Sequence, residues 1–283
     1  MYLVYVLLVS GMYAAAFSVG SRTLRRWLGK SRRPGVRPDI PQHWHALLAS
    51  HVPLARTLTG IQRVRLLEKT QDLVETRHWE GCGGLTLSEE IKVSIAAQAC
   101  LLILEREGDP YPELESILVY PDTFRPRHFS WTPSSDPNEL DPALGESWKH
   151  GVVILAWDSV QAGAMNPFDG QNVVLHEFAH QLDSAGGDLD GIPLLGGKSA
   201  YAAWTAVLEA EFSRLQEDDD QARPSVLDHY GATNRAEFFA VATEAFFEKS
   251  RLLRDKHPEL YARLRGYYRQ DPAEAESGRN DAP

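Results

Sequence analysis

His176-Glu177-Phe178-Ala179-His180 is the stretch of sequence that decides the fold of this chain. Residues four apart in a helix lie on one side of it, so both imidazoles face the same way. Two neutral imidazoles at that spacing can hold one zinc ion, and the neighbouring glutamate can take a proton from a water molecule at the metal. The pattern predicts His176 and His180 as metal ligands and Glu177 as a general base. A half-buried helix with two hydrogen-bonded histidines is the alternative interpretation.

A zinc centre of this kind needs a third protein ligand, and the candidates lie downstream of the motif. A histidine six residues after His180 would complete a metzincin site, but that position is Gly186. Asp183 is on the same helix, with a side chain directed away from the two imidazoles. Glu237 and Glu244 are seven residues apart and therefore share one face of a mostly apolar helix.

Glu237 also has an ordinary structural interpretation. With Asn234 as the N-cap, Glu237 occupies the third position of the helix, where a glutamate closes a capping box. On the residues alone, Glu237 and Glu244 are therefore about equally good candidates for the third ligand. Asp183 and Glu244 are candidates for supporting the histidines from behind, because ligand histidines usually donate their other N–H to a carboxylate or carbonyl.

The segments around the motif predict an α+β fold of the zincin type, with a small mixed sheet beside the HExxH helix and a helical C-terminal part. Strands are predicted at 116–120 and 151–157, and helices at 59–78, 86–103, 171–183, 199–216, 234–250 and 258–268. The helix that starts near Thr86 is expected to use Thr86 as its cap, with Glu89 closing a capping box. The 151–157 strand is a candidate edge strand for pairing with a peptide substrate, although its apolar run also permits a central position.

The N-terminus predicts a membrane anchor. Residues 1–20 are uncharged and mostly apolar, and as a helix they would span about 30 Å, the thickness of the bilayer core. Seven basic residues and no acidic residue follow between residues 21 and 38. The positive-inside rule then places the catalytic domain in the cytoplasm, anchored in a bacterial inner membrane. A cleaved signal peptide is the alternative, but its leading basic region is missing.

Composition sets the remaining boundaries. Residues 21–41 form a basic, proline-containing linker, residues 42–271 the zincin-like peptidase domain, and residues 272–283 a tail predicted to be disordered. From residue 39 onward there are 22 basic and 39 acidic residues, and this negative charge argues against a nucleic-acid partner. Two cysteines exclude a cysteine-rich zinc site, so a metal has to use histidine and carboxylate.

Four stretches of the chain resemble the MtfA family, zinc metallopeptidases whose active-site layout is similar to that of the anthrax lethal factor catalytic domain. They are GESW (145–148) with GVVILAW (151–157), LHEFAHQLD (175–183), AEFFAV (236–241) with EAFF (244–247), and YYRQDP (267–272). The resemblance implies zinc as the cofactor and Glu237 as the third ligand. It also implies that Tyr230 faces the metal and stabilises the oxyanion, while Glu177 serves as the base in peptide-bond hydrolysis.

The resemblance carries an alternative function as well. The family is associated with sequestering a sugar-responsive transcriptional repressor, and an anchored acidic domain could bind such a partner with peptidase activity secondary. The expected partners are thus a peptide or protein substrate, a repressor protein, and the membrane through residues 1–20. The N-terminus departs from the family pattern, because some members are soluble.

Overall fold

The computed structural model describes residues 40–109, 111–122, 151–187 and 189–275. Ile40 and the residues that follow form one unit. The predicted anchor at 1–20 and the linker up to residue 39 lie outside the described residues. Within the part that is described, no helix is both long enough and apolar enough to cross a membrane.

Three strands form a parallel sheet in the order β1 (His78–Gly81), β2 (Ser116–Tyr120) and β3 (Val152–Ala156). Ile117 at its centre is opposite Trp79 on one side and Val153 on the other. The sequence predicted a mixed sheet, and this is corrected: all described strands are parallel. Each pair is joined by a long connection rather than a tight turn, so the chain returns to the same end of the sheet before the next strand begins.

Strand β3 lies at one edge of the sheet. Among the described residues it pairs with β2 alone, while Val153 and Leu155 point into the core and the Ile154 side chain is 37% exposed. Gly151 directly precedes the strand with a φ of +71°, and a Cβ there would lie 1.9 Å from the carbonyl oxygen of Glu113. Only glycine fits this turn, which sets where β3 begins.

The helices of the described residues are α1 (His43–His51), α2 (Gly60–Thr76), α3 (Glu89–Leu102), α4 (Trp157–Met165), α5 (Val173–Ser184), α6 (Lys198–Asp220), α7 (Arg235–Glu248), α8 (Ser250–Lys256) and α9 (Pro258–Tyr268), with 3₁₀ turns at Pro53–Thr57 and His229–Ala232. The α+β class is therefore confirmed. Helix α3 starts later than predicted. Its cap is Ser88, whose hydroxyl accepts the Ile91 N–H at 3.2 Å, and not Thr86.

Helices α5 and α7 pack against each other in the interior, and α5 also contacts α3 and β3. Residues 174–183 of α5 and residues 236–248 of α7 are all buried. An aromatic cluster holds α7 against α9, with ring centroids 5.2 to 6.1 Å apart in its edge-to-face and stacked pairs. Its rings belong to Phe239, Phe246, Phe247, Tyr267 and Tyr268. Both helices that carry the predicted site are thus parts of the core.

The chain stays ordered beyond its last long helix. Residues 272–275 form a helical turn in which Ala273 is buried and its N–H donates to the Tyr261 hydroxyl at 3.1 Å. That hydroxyl in turn donates to Asp271 at 2.6 Å. The disorder predicted from residue 272 is therefore wrong for these four residues, because hydrogen bonds to Tyr261 hold them. Residues 276–283 lie outside the described residues.

Candidate metal centre

Helix α5 brings the two histidines of the motif to one place. The helix begins after Asn172, whose side-chain oxygen accepts the N–H groups of Val174 and Leu175 at 3.1 and 3.2 Å. One turn later the His176 ring lies with its centroid 4.9 Å from that of His180. Both side chains are buried, so each imidazole nitrogen needs a polar partner or a metal ion.

Glu237 approaches the two imidazoles from the first turn of α7. Its Oε2 lies 2.9 Å from His176 Nε2 and 3.5 Å from His180 Nε2. Ligand atoms from the three residues all lie within 4.8 Å of one another, and no other trio of His, Cys, Asp or Glu in the described ranges converges in this way. The Glu237 N–H donates to Asn234 at 3.0 Å, as in a helix cap. Its carboxylate turns towards the histidines.

The distances from Glu237 to the two imidazoles fit a zinc ion. Tetrahedral zinc with bonds of about 2.0–2.2 Å keeps neighbouring ligand atoms about 3.3–3.5 Å apart. The 3.5 Å between His180 and Glu237 meets that value, and the 2.9 Å between His176 and Glu237 needs only a small opening. Two imidazoles and one glutamate are also a known ligand set for catalytic zinc, which leaves a fourth position for water.

Glu244 holds the ring of His176 from the far side. Its Oε1 lies 2.7 Å from His176 Nδ1, and its other oxygen accepts the backbone N–H of Asn172. This hydrogen bond orients the ring so that Nε2 faces Glu237. Burial raises the pKa of Glu244 more than these hydrogen bonds lower it.

The cluster favours a positive charge between its members. Burial lowers the pKa of His176, but hydrogen bonds to Glu237 and Glu244 outweigh it and hold that pKa well above its usual range. Burial likewise raises the pKa of Glu237, but hydrogen bonds from His176 and His180 prevail and hold it far below its usual range. Two nitrogens that face one ionised carboxylate are the environment expected of a cation site.

Glu177 and Tyr230 lie beside the cluster. Glu177 follows His176 on α5, and Tyr230 lies in the His229–Ala232 turn with its ring centroid 6.0 Å from that of His176. Burial raises the pKa of Tyr230, and the charges of Glu237 and Glu177 raise it further. The Tyr230 hydroxyl therefore keeps its proton at neutral pH and can donate a hydrogen bond.

Asp183 lies away from the imidazoles. Its Oδ2 accepts the N–H of Gly191 at 2.9 Å, and the carbonyl of Gly191 accepts from the Trp204 indole at 3.1 Å. Burial raises the pKa of Asp183 to about 7. Of the two carboxylates expected to support the histidines, the structure brings Glu244 to His176, whereas Asp183, in the last turn of α5, binds the loop that follows the helix.

Sequence reasoning missed two buried polar residues next to the site, Gln98 on α3 and Glu248 on α7. Glu248 was detectable, because it follows Glu244 by four residues and so lies on the inner face that Glu237 and Glu244 share. Gln98 has no local signal, since its partner Asn172 is 74 residues away in the chain.

An α+β frame with two histidines and one glutamate around a single interior point defines a candidate metal centre of the zincin class. The chain belongs to the family described as Glucose-regulated metallo-peptidase M90, which matches residues 25–269. Membership places the chain among metallopeptidases, and the matched range includes every residue of the candidate centre.

Three relatives match most of the chain. The uncharacterized protein slr2042 of Synechocystis sp. is 40% identical over 248 residues, which cover 87% of this chain and 90% of that protein. Mlc titration factor A of Serratia proteamaculans is 30% identical over 254 residues, which cover 87% of this chain and 93% of that protein. The protein of that name from Yersinia pestis is 28% identical with 87% and 90% coverage. The resemblance to the MtfA family is therefore confirmed.

Proposed function

We propose that this chain is a zinc-dependent peptidase with His176, His180 and Glu237 as metal ligands and Glu177 as general base. One observation carries the proposal: three ligand atoms converge within 4.8 Å in a member of a metallopeptidase family. The test is metal analysis of the purified protein together with cleavage of a peptide library. About one zinc per chain and defined cleavage products are expected, and a protein with neither contradicts the proposal.

The chemistry divides among the side chains of the centre. His176, His180 and Glu237 would hold the zinc ion, which would supply polarisation of the peptide carbonyl and a water molecule whose pKa lies near neutrality. Glu177 takes the proton of the attacking water and returns it to the leaving amine. The Tyr230 hydroxyl donates a hydrogen bond to the oxygen that becomes negative as the carbonyl is attacked. Glu244 keeps the His176 ring oriented through the Nδ1 hydrogen bond.

The substrate peptide is proposed to lie along β3. This strand pairs on one side only within the described residues, packs against α5 and exposes Ile154. An extended peptide can use the free backbone groups of such an edge as an added strand. That arrangement would bring a peptide bond close to the helix that carries Glu177.

Tyr230→Phe is expected to lower kcat by about 10- to 100-fold with little change in KM, because the lost hydrogen bond forms only as the oxyanion develops. The expected loss is at the low end for an oxyanion donor because a metal ion at the site would share that charge. Zinc content should be unchanged, since Tyr230 is not a ligand. Steady-state kinetics and metal analysis of one preparation measure both quantities. An unchanged kcat removes Tyr230 from the mechanism.

We propose a second function, the binding of a transcriptional repressor, on the ground that two of the relatives carry the name Mlc titration factor A. The acidic body of the chain suits binding to a basic DNA-binding protein. Glu177→Gln separates the two functions. Repressor binding, measured by calorimetry with purified proteins, should survive this substitution while hydrolysis is lost. Failure of the wild-type chain to bind contradicts this second function only.

We further propose that residues 1–20 anchor the chain in the inner membrane with the catalytic domain in the cytoplasm. The support is the apolar segment followed by seven basic residues. Protease added to spheroplasts should leave the domain intact, whereas protease added after lysis should degrade it. A domain cut in intact spheroplasts, or a soluble mature protein that begins near residue 17, contradicts this topology.

A further inference from the structure

Asn172 joins the three helices around the metal centre. It is buried, and it is the residue from which α5 begins. Its backbone N–H donates to Glu244, and its side-chain amide donates to Gln98 Oε1 and to Glu248 Oε1, each at 3.0 Å. Its side-chain oxygen caps α5, so every polar atom of the side chain is used. A buried asparagine with a complete set of partners fixes one arrangement of its neighbours.

Glu248 extends the contact along α7. Its second oxygen accepts the N–H of Gly170 at 3.1 Å, so one carboxylate binds both the cap of α5 and the loop that leads into it. Gln98 is held in turn by its hydrogen bond to the Ser94 carbonyl at 3.2 Å. The Glu248 side chain is buried with no cation among its described partners, and burial raises its pKa to about 8.

The backbone at Asn172 is closely packed against α4. Gly163 of α4 lies so close that a Cβ there would be 3.0 Å from the Gln171 carbonyl oxygen and 3.2 Å from Asn172 Cα. The His176 N–H donates to the Asn172 carbonyl at 2.9 Å, one helical turn on. A shift of Asn172 relative to α7 would therefore move the His176 imidazole relative to Glu237.

We propose that Asn172 and Glu248 are positioning residues of the metal centre, which fix the start of α5 against α7 so that His176 and Glu237 meet at one ion. The inference rests on the proposed zinc site. Neither residue contacts a ligand atom, and both act through the placement of α5. Glu244 bonds the ring of His176 directly, whereas this pair sets the position of the helix backbone that carries the ring.

Asn172→Asp tests the pair without removing the helix cap. Aspartate caps a helix as well as asparagine does, so the bonds to Val174 and Leu175 remain. The donor towards Gln98 and Glu248 is replaced by an oxygen, and two buried carboxyl groups then stand where an amide met a carboxyl group. We expect zinc affinity, measured by competition with a chromophoric chelator, to fall by about 10- to 100-fold. This is the range found when a residue that orients a metal ligand is lost.

Asn234→Asp is the matched control. It is the same substitution at the cap of α7, where the described role of the side chain is to accept the Glu237 N–H. Zinc affinity is expected to stay within about threefold of wild type, because the cap is kept and no donor to α5 is lost. Circular dichroism and thermal unfolding of the metal-free proteins show whether each variant is folded.

The double variant Asn172→Asp, Glu248→Gln is expected to recover most of the lost affinity. The amide of the new glutamine can donate to the new aspartate, and its oxygen can still accept from Gly170, so the contact forms again with donor and acceptor exchanged. Rescue of this kind requires that the two side chains touch. The proposal is overturned if the double variant binds zinc no more tightly than Asn172→Asp. It is also overturned if the zinc affinity of Asn172→Asp alone is within about twofold of wild type. A wild-type protein that binds no zinc overturns the proposed function itself.

Discussion

Glu177→Gln is expected to retain about one zinc per chain while peptide hydrolysis falls by at least about 100-fold, because the substitution removes the base and leaves the ligands in place. The glutamine has nearly the same volume, so the buried position on α5 is filled as before. The measurement is kcat/KM on a peptide identified from the library, with zinc determined on the same preparation. The loss should lie in kcat.

Glu80→Gln is the matched control for this experiment. Glu80 lies on β1 with a side chain that is 59% exposed, so the same chemical change there is expected to leave hydrolysis within about twofold of wild type. Near-normal hydrolysis by Glu177→Gln would remove that residue as the base. A zinc-free Glu177→Gln protein would instead show that the residue supports metal binding.

Glu237→Ala is expected to purify with little zinc, while Glu244→Ala keeps most of it with weaker binding. Glu237 places an oxygen at 2.9 and 3.5 Å from the two Nε2 atoms, whereas Glu244 contacts the Nδ1 of His176 on the far side of that ring. Loss of a direct ligand should lower affinity by far more than the about 10- to 100-fold typical of a residue behind a ligand. Metal content and chelator competition on both variants decide between them.

The reverse outcome has a definite meaning. If Glu244→Ala is the zinc-free protein and Glu237→Ala retains zinc, Glu237 is not a ligand and its role is the structural one at the start of α7. Glu237→Gln is the companion variant, since it keeps the size of the side chain and one neutral oxygen. We expect it to bind zinc more tightly than Glu237→Ala and more weakly than wild type, because a neutral amide is a poorer ligand than a carboxylate.

The parts of the site that sequence could predict are those set by local geometry. The four-residue spacing of His176 and His180 fixes their common direction in any α-helix, and the apolar residues before them indicate a buried helix. The same reasoning places Glu237 and Glu244 on one face of α7. Which of the two reaches the imidazoles depends on how α7 lies across α5, and the resemblance had to supply an expectation that spacing could not.

The features that sequence could not predict depend on contacts distant in the chain. Strand pattern shows where β2 and β3 lie, but the parallel pairing depends on the path of the connections between strands. The cap of α3 illustrates a smaller difficulty. Thr86 and Ser88 both have a hydroxyl suited to a cap, and the backbone conformation at Ser88 determines which one is used. The contact between Gln98 and Asn172 joins two helices that are far apart in the sequence.

The complete burial of α7 from residue 236 to residue 248 has a consequence for dynamics. Amide protons in helices this deep exchange with solvent mainly through global unfolding, whereas those of exposed turns exchange through small local openings. We expect the amides of α5 and α7 to be among the slowest in deuterium exchange, and those near the exposed Leu194 and Tyr201 to be fast. The groups that would carry out hydrolysis thus belong to the most slowly exchanging part of the molecule. Any motion that admits substrate therefore has to come from the segments that surround α5 and α7.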